Sequence, residues 1–191
     1  EDGKSFVRNL AKVGMALDLS HTGHKTCEDI LDLVEGEGLN LPIFVSHTGS
    51  ISVYPHNRNL TTSILHRVGK LGGVVGLFCI TFLLDGEDNS TTPFLEHLQD
   101  FRKVVGVDKV VIGSDTPATI FEIDKWKSDT EMMKAKLDPK GLMKIRWPDY
   151  IPEFVHPKQM EIIYEAIKSK SGEEVATKVC GENALRFLKR I

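Results

Sequence analysis

Two patterns of apolar residues alternate along this chain. Four short runs, VGMALDL (13–19), PIFVS (42–46), GVVGLF (73–78) and KVVIGS (109–114), are continuously apolar and rich in β-branched residues. Continuous runs of this kind mark strands buried on both faces. Between them, apolar positions recur every three or four residues, the period of a helix with one face on a core. Cys27, Ile30, Leu31 and Val34 form one stripe, with Thr26 and Asp29 spaced as a capping pair before it. Ile64, Leu65 and Val68 form a second. Phe94, Leu98, Phe101 and Val105 form a third, with Pro93 placed as a first helical residue. Strand starts fall about 30 residues apart, the length of a βαβ unit. Strands alternating with helices predict an α/β fold with a parallel sheet.

The pattern breaks after residue 115. Residues 116–157 hold prolines, charges and both tryptophans but no clean period. They read as a long loop excursion with one short helix around 129–137. Met160, Ile163, Tyr164 and Ile167 then restore a helical stripe. A helix pair closes the chain, GEEVATKVCG ending at Gly181 and ENALRFLKRI following it. The expected organisation is one domain over 1–191: four βα units to 115, the excursion, and C-terminal helices from 158.

The composition, 41% hydrophobic and 27% charged over 191 residues, is that of an ordinary globular domain. A net charge of −3 leaves no electrostatic footprint for nucleic acid or an anionic membrane. The longest apolar stretch, GGVVGLFCITFLL (72–84), is too short to span a bilayer. The opening EDGKSFVRNL has no signal-peptide profile. Cys27, Cys79 and Cys180 form no CxxC pair, so a cysteine zinc site is not expected, and free thiols favour a reducing compartment. Localisation is otherwise open.

The chemistry is expected at the carboxyl ends of the strands, where parallel α/β folds build their sites. His21 follows the first run, His47 the second and Asp115 the fourth. The tetrapeptide Ser-His-Thr-Gly occurs at both 20–23 and 46–49. Two imidazoles from neighbouring strand ends suit zinc. A catalytic zinc wants three protein ligands and an open position, and Asp115 could serve either as a ligand or as a general base. Read alone, each histidine could instead be an ordinary hydrogen-bonding residue, and Asp115 could cap a turn. Arg58 faces the same mouth and could hold a substrate carboxylate in a bidentate pair, or be a surface arginine. His56 lies beside it. His24 is expected to be solvated, and His66 and His97 to be structural. Two Asn-x-Thr sequons, at Asn59 and Asn89, are patterns of low specificity.

GMALDLSHTGHKT, PIFVSHTGSISVYPHNRNL, GGVVGLF, HLQDFRKVVGVDKVVIGSD and GENALRFL occur in that order. Together they resemble the zinc dipeptidases related to renal (membrane) dipeptidase. The resemblance implies a (β/α)8 barrel of the TIM type, this chain supplying roughly strands 5–8 and beginning in the helix before the fifth. It implies a dipeptide substrate and two zinc ions activating a water. On it, His21 and His47 match ligands of the second metal. Arg58 matches the arginine that holds the substrate carboxylate, and Asp115 the acid that handles the water's proton. His97 matches a position without an assigned role. No residue here matches the family's His-x-Asp pair or its bridging glutamate, and Thr116, Pro117 and Ala118 depart from the aromatic-acid-glycine sequence that follows the family's acid. Alternative readings are a non-catalytic half-barrel or a related amidohydrolase. Open sheet edges would make a chain of this extent a homodimer, or a partner of an N-terminal half.

Overall fold

The apolar runs become four parallel strands, β1 (Leu17–Asp18), β2 (Ile43–Thr48), β3 (Val75–Leu77) and β4 (Val110–Ile112), in a computed structural model that describes residues 1–191. The strands lie side by side in chain order. Leu17 pairs with Ile43, Val45 with Val75, and Val75 with Val110, and a register shift interrupts β2 between Val45 and Thr48. Each crossover carries a helix: α2 (His24–Glu37), α3 (Thr62–Lys70), and then α4 (Thr81–Leu84) with α5 (Thr91–Val104). A sequential parallel sheet with helical crossovers is the repeating unit of a TIM-type barrel, so the expected fold class holds.

The helices bury the stripes that the sequence marks: Cys27, Leu31 and Val34 on α2, Ile64, Leu65 and Val68 on α3, Phe94, Leu98 and Phe101 on α5. These join Ile43, Val45, Val75, Leu77 and Val110 of the sheet in one core. At about 25 cal/mol per Å² of apolar surface, this face is what holds each helix on the sheet.

Several boundaries differ from the sequence reading. The first run is shared between a helix and a strand, because α1 (Asp2–Val13) ends on Gly14 in the left-handed conformation at φ 72°. Helix α2 starts one turn earlier than a Thr26 cap would place it, with Gly23 at the cap position. Helix α5 is capped by the Ser90 hydroxyl, which accepts from the Thr92 N–H at 3.1 Å, and Pro93 sits within its first turn rather than at its first residue.

The excursion is more ordered than expected. Helix α6 spans Ile123–Leu137, not only 129–137. Only Trp126 and Thr130, one turn apart, are buried along it, which is why no apolar period shows. Trp126 Nε1–H donates to Asp149 Oδ1 at 2.5 Å, and the Thr130 hydroxyl shares its proton between Trp126 O at 3.0 Å and the same carboxylate oxygen at 3.2 Å. The segment around Asp149 then docks beyond the end of β3, Thr81 N–H bonding Asp149 O and Ile151 N–H bonding Cys79 O. At the C-terminus, α7 (Gln159–Ser171) is followed by α8 (Glu173–Thr177). A π-helical turn, Lys178–Glu182, carries the helix on into α9 (Asn183–Leu188), so Gly181 does not end it. Asn183 anchors this turn by donating to Val107 O and Val110 O, each at 2.7 Å. All three cysteines are free.

Candidate active site

The two Ser-His repeats are held in register by one residue before the first of them. Asp18 Oδ1 accepts from the backbone N–H of Ser20 and of Ser46, both at 2.9 Å. Burial works against the Asp18 charge, but the hydrogen bonds from Ser46 and Ser20 outweigh it and hold the carboxyl below the usual range. The serines continue the link. Ser20 Oγ donates to His47 O at 3.2 Å and accepts from His47 N–H at 3.0 Å.

This network also sets which nitrogens carry protons. Ser46 Oγ donates to Ser20 Oγ at 2.9 Å. With its own proton used there, it accepts from His47 Nδ1–H at 2.8 Å, which leaves His47 Nε2 as a bare lone pair. His21 Nε2 stands 3.2 Å from Arg58 Nη2. The two Nε2 atoms stand 2.8 Å apart with their rings edge to face. His21 Nε2 has one lone pair, so it either accepts from Arg58 or carries a proton that it donates to His47 Nε2, and a metal ion bound to both nitrogens would replace either arrangement. The donor set therefore fits a metal, with a serine orienting one imidazole through its other nitrogen. His47 is held below the ordinary histidine value, first by burial, against the attraction of Asp115.

His21 and Asp115 both adopt positive φ, 61° and 51°. Backbone in this region is disfavoured for residues with a side chain and concentrates at functional sites. Neighbouring glycines make room. A Cβ at Gly113 would lie 1.7 Å from Ser46 O, and one at Gly76 1.9 Å from it.

A cleft of about 230 Å³ opens here, lined by Leu19, Ser20, His21, Thr22, Gly23, His47, Thr48, Asn57, Arg58 and Leu60. The structure thus brings His21, His47 and Arg58 together. Asp115 stands apart from the cleft lining, its Oδ2 3.8 Å from His47 Nε2. No group of three or more His, Cys, Asp or Glu side chains is clustered as a metal site. Burial pushes the Arg58 guanidinium down, and Asp115 is the acid whose charge opposes that.

The other histidines divide. His97 is fully buried, accepting from Ser50 N–H at 2.8 Å and donating to Leu84 O at 3.0 Å, the structural role expected of it. His66 is exposed on α3 and has no such role. His24 is not simply solvated: its Nε2 donates to Asn59 O at 2.8 Å, drawing α2 toward the Arg58 loop. Asp18, Ser20 and Ser46 were missed as site residues. Their signal was in the sequence, in the serine before each histidine and the acid two residues before the first.

Comparison with known proteins gives a consistent family. The model for membrane dipeptidase (peptidase family M19) matches residues 1–137. Dipeptidase verJ of Clonostachys rogersoniana is 33% identical over 117 residues, 60% of this chain and 28% of that protein. Dipeptidase ataJ of Aspergillus terreus is 26% identical over 181 residues, 93% of this chain and 36% of that protein. A metallopeptidase from Rhodobacter sphaeroides, solved with a phosphinate mimic of the dipeptide L-Ala-D-Ala, superimposes with a TM-score of 0.73 at 23% identity. That match covers 100% of this chain and 46% of the neighbour, so the chain spans about half the length of this solved structure. No helix is long and apolar enough to cross a membrane.

Proposed function

The chain belongs to the membrane dipeptidase family, peptidase family M19, and from that premise we propose that it carries part of the active site of a zinc-dependent dipeptidase. The observation that supports this most is the facing of the His21 and His47 Nε2 atoms, 2.8 Å apart at the ends of adjacent strands. These two residues would hold zinc, with further ligands from outside residues 1–191, since a catalytic zinc takes three protein ligands. Bound zinc polarises a carbonyl and lowers the pKa of water toward neutrality.

The chain's own residues do the rest. Arg58, on the cleft wall, pairs with the carboxylate of the dipeptide and aligns its peptide bond. Asp115 takes a proton from the attacking water as its oxygen bonds the peptide carbon, and passes that proton to the amine as the C–N bond breaks. Its Oδ2, 3.8 Å from His47 Nε2, stands within reach of a water at an ion held there. Closure of the sheet by strands outside these residues, or by a second copy, belongs to the same proposal.

The test is hydrolysis of L-Ala-D-Ala and of its C-terminal amide by the complete protein. Cleavage of the free dipeptide that is lost on chelation, restored by zinc and much weaker on the amide is the expected result. Cleavage indifferent to chelation, or equal on both substrates, would overturn the reading.

A further inference from the structure

We propose that His56 is a positioning residue for Arg58, clamping its backbone to the turn at residues 138–145 and so setting where the guanidinium stands in the cleft. The inference rests on the reading of Arg58 as the carboxylate anchor.

His56 is buried, 4% exposed. Arg58 N–H donates to His56 Nδ1 at 3.1 Å. A backbone N–H can only donate, so Nδ1 is bare and the ring proton of the neutral imidazole sits on Nε2. That Nε2–H donates to Met143 O at 3.1 Å. The Tyr54 ring stacks on His56 at 6.2 Å and 17° between planes, holding the imidazole in one orientation. Burial lowers the His56 pKa, opposed by the Met143 carbonyl and Asp138, with Lys144 and Arg58 adding to the lowering.

The far end of the clamp is itself fixed. Asp138, 5% exposed, accepts from Met143 N–H at 2.9 Å and Ile145 N–H at 3.1 Å. Lys144 between them turns through φ 57°. Met143 is therefore tied by its own N–H to Asp138 and by its carbonyl to His56. By contrast, the Arg58 guanidinium makes one side-chain hydrogen bond, to His21 Nε2 at 3.2 Å. With so little to locate the tip, the backbone decides its position. Asn59, the next residue, is pinned through its side chain to Tyr54 O and Leu83 O at 2.9 and 2.8 Å. The bond from Arg58 N–H to His56 is thus what ties the anchor to the excursion.

Two conservative variants separate the two bonds. His56→Asn puts its Oδ1 where Nδ1 stood and keeps the Arg58 bond. His56→Gln reaches toward Met143 O and loses it. In the complete protein with L-Ala-D-Ala, His56→Gln should raise KM about threefold to tenfold, the effect of one hydrogen bond of ordinary net strength, with kcat little changed. His56→Asn keeps the Arg58 bond but releases Met143, so it severs the clamp at its other end and should raise KM as well. A wild-type KM in either variant, or a loss in kcat at constant KM, would overturn the proposal. If Arg58→Ala raises KM while neither His56 variant does, the His56 inference falls alone. If Arg58→Ala leaves KM unchanged, the anchor reading falls and this inference with it. Should the variants fail to fold, 15N NMR of the wild-type imidazole decides. A protonated Nε2 with bare Nδ1 is expected, and a protonated Nδ1 would overturn it.

Discussion

His21 Nε2 and His47 Nε2 face each other at 2.8 Å although 26 residues separate them in the chain. Adjacent parallel strands bring the two loops near, but the alignment comes from Asp18, which accepts from the N–H groups of Ser20 and Ser46 at once. One carboxylate thus sets the register of two repeated motifs.

Removing that carboxylate should loosen both histidines together. Asp18→Ala in the complete protein is expected to weaken zinc binding about tenfold to a hundredfold, the usual effect of losing a group that orients a ligand. Chelator competition measures it. Affinity equal to wild type would mean that the strands alone position the histidines.

Gly113 offers a steric version of the same test. A methyl there would press on Ser46 O at 1.7 Å and on His47 Cβ at 3.3 Å. The contact is with backbone, which has no rotamer to escape into. Gly113→Ala should cost about 1–3 kcal/mol, as overpacked sites do, and reduce zinc affinity as well. Urea unfolding and chelator competition check the two effects, and an unchanged midpoint with unchanged affinity would contradict the packing described.

Much of this was readable in the sequence, and the failures have physical causes. The strands and the stripes on α2, α3 and α5 were legible because burial on a sheet imposes a period. Helix α6 was largely missed because only Trp126 and Thr130 are buried along it, and they meet a carboxylate rather than a core. The run into Glu182 continued past Gly181 because Asn183 anchors a wider π turn on the carbonyls of Val107 and Val110. His21, His47 and Arg58 were picked out by residue type, repeat and resemblance. His24 was misread because its bond to Asn59 O spans 35 residues, a distance no local pattern encodes.

Arg58 should behave as a binding rather than a chemical group. Arg58→Ala is expected to raise KM for a free dipeptide strongly. Arg58→Lys should recover only part of the loss, because an ammonium cannot make the planar two-bond pair with a carboxylate. Steady-state kinetics on free dipeptides decide, and full recovery by lysine would remove the bidentate contact from the account.

His97 should tie stability to pH. Burial pushes its pKa down to about 4, the Leu84 carbonyl opposing. Between the unfolded value near 6.5 and that lowered value, the unfolded chain binds a proton that the folded one refuses. Its contribution is therefore complete above pH 6.5 and is lost as pH falls toward 4, amounting to about 3 kcal/mol. Urea unfolding at pH 7 and pH 4.5 should show a smaller acid loss in His97→Gln than in wild type. An identical loss in both would assign the acid sensitivity elsewhere.

The central claim is that His21 and His47 hold a metal ion between them. Anomalous diffraction at the zinc edge, from crystals of the complete protein grown with zinc, tests it most directly. The account predicts a peak about 2.0–2.1 Å from both Nε2 atoms. Full zinc occupancy at other residues, with the two imidazoles still in contact and no peak between them, would contradict it.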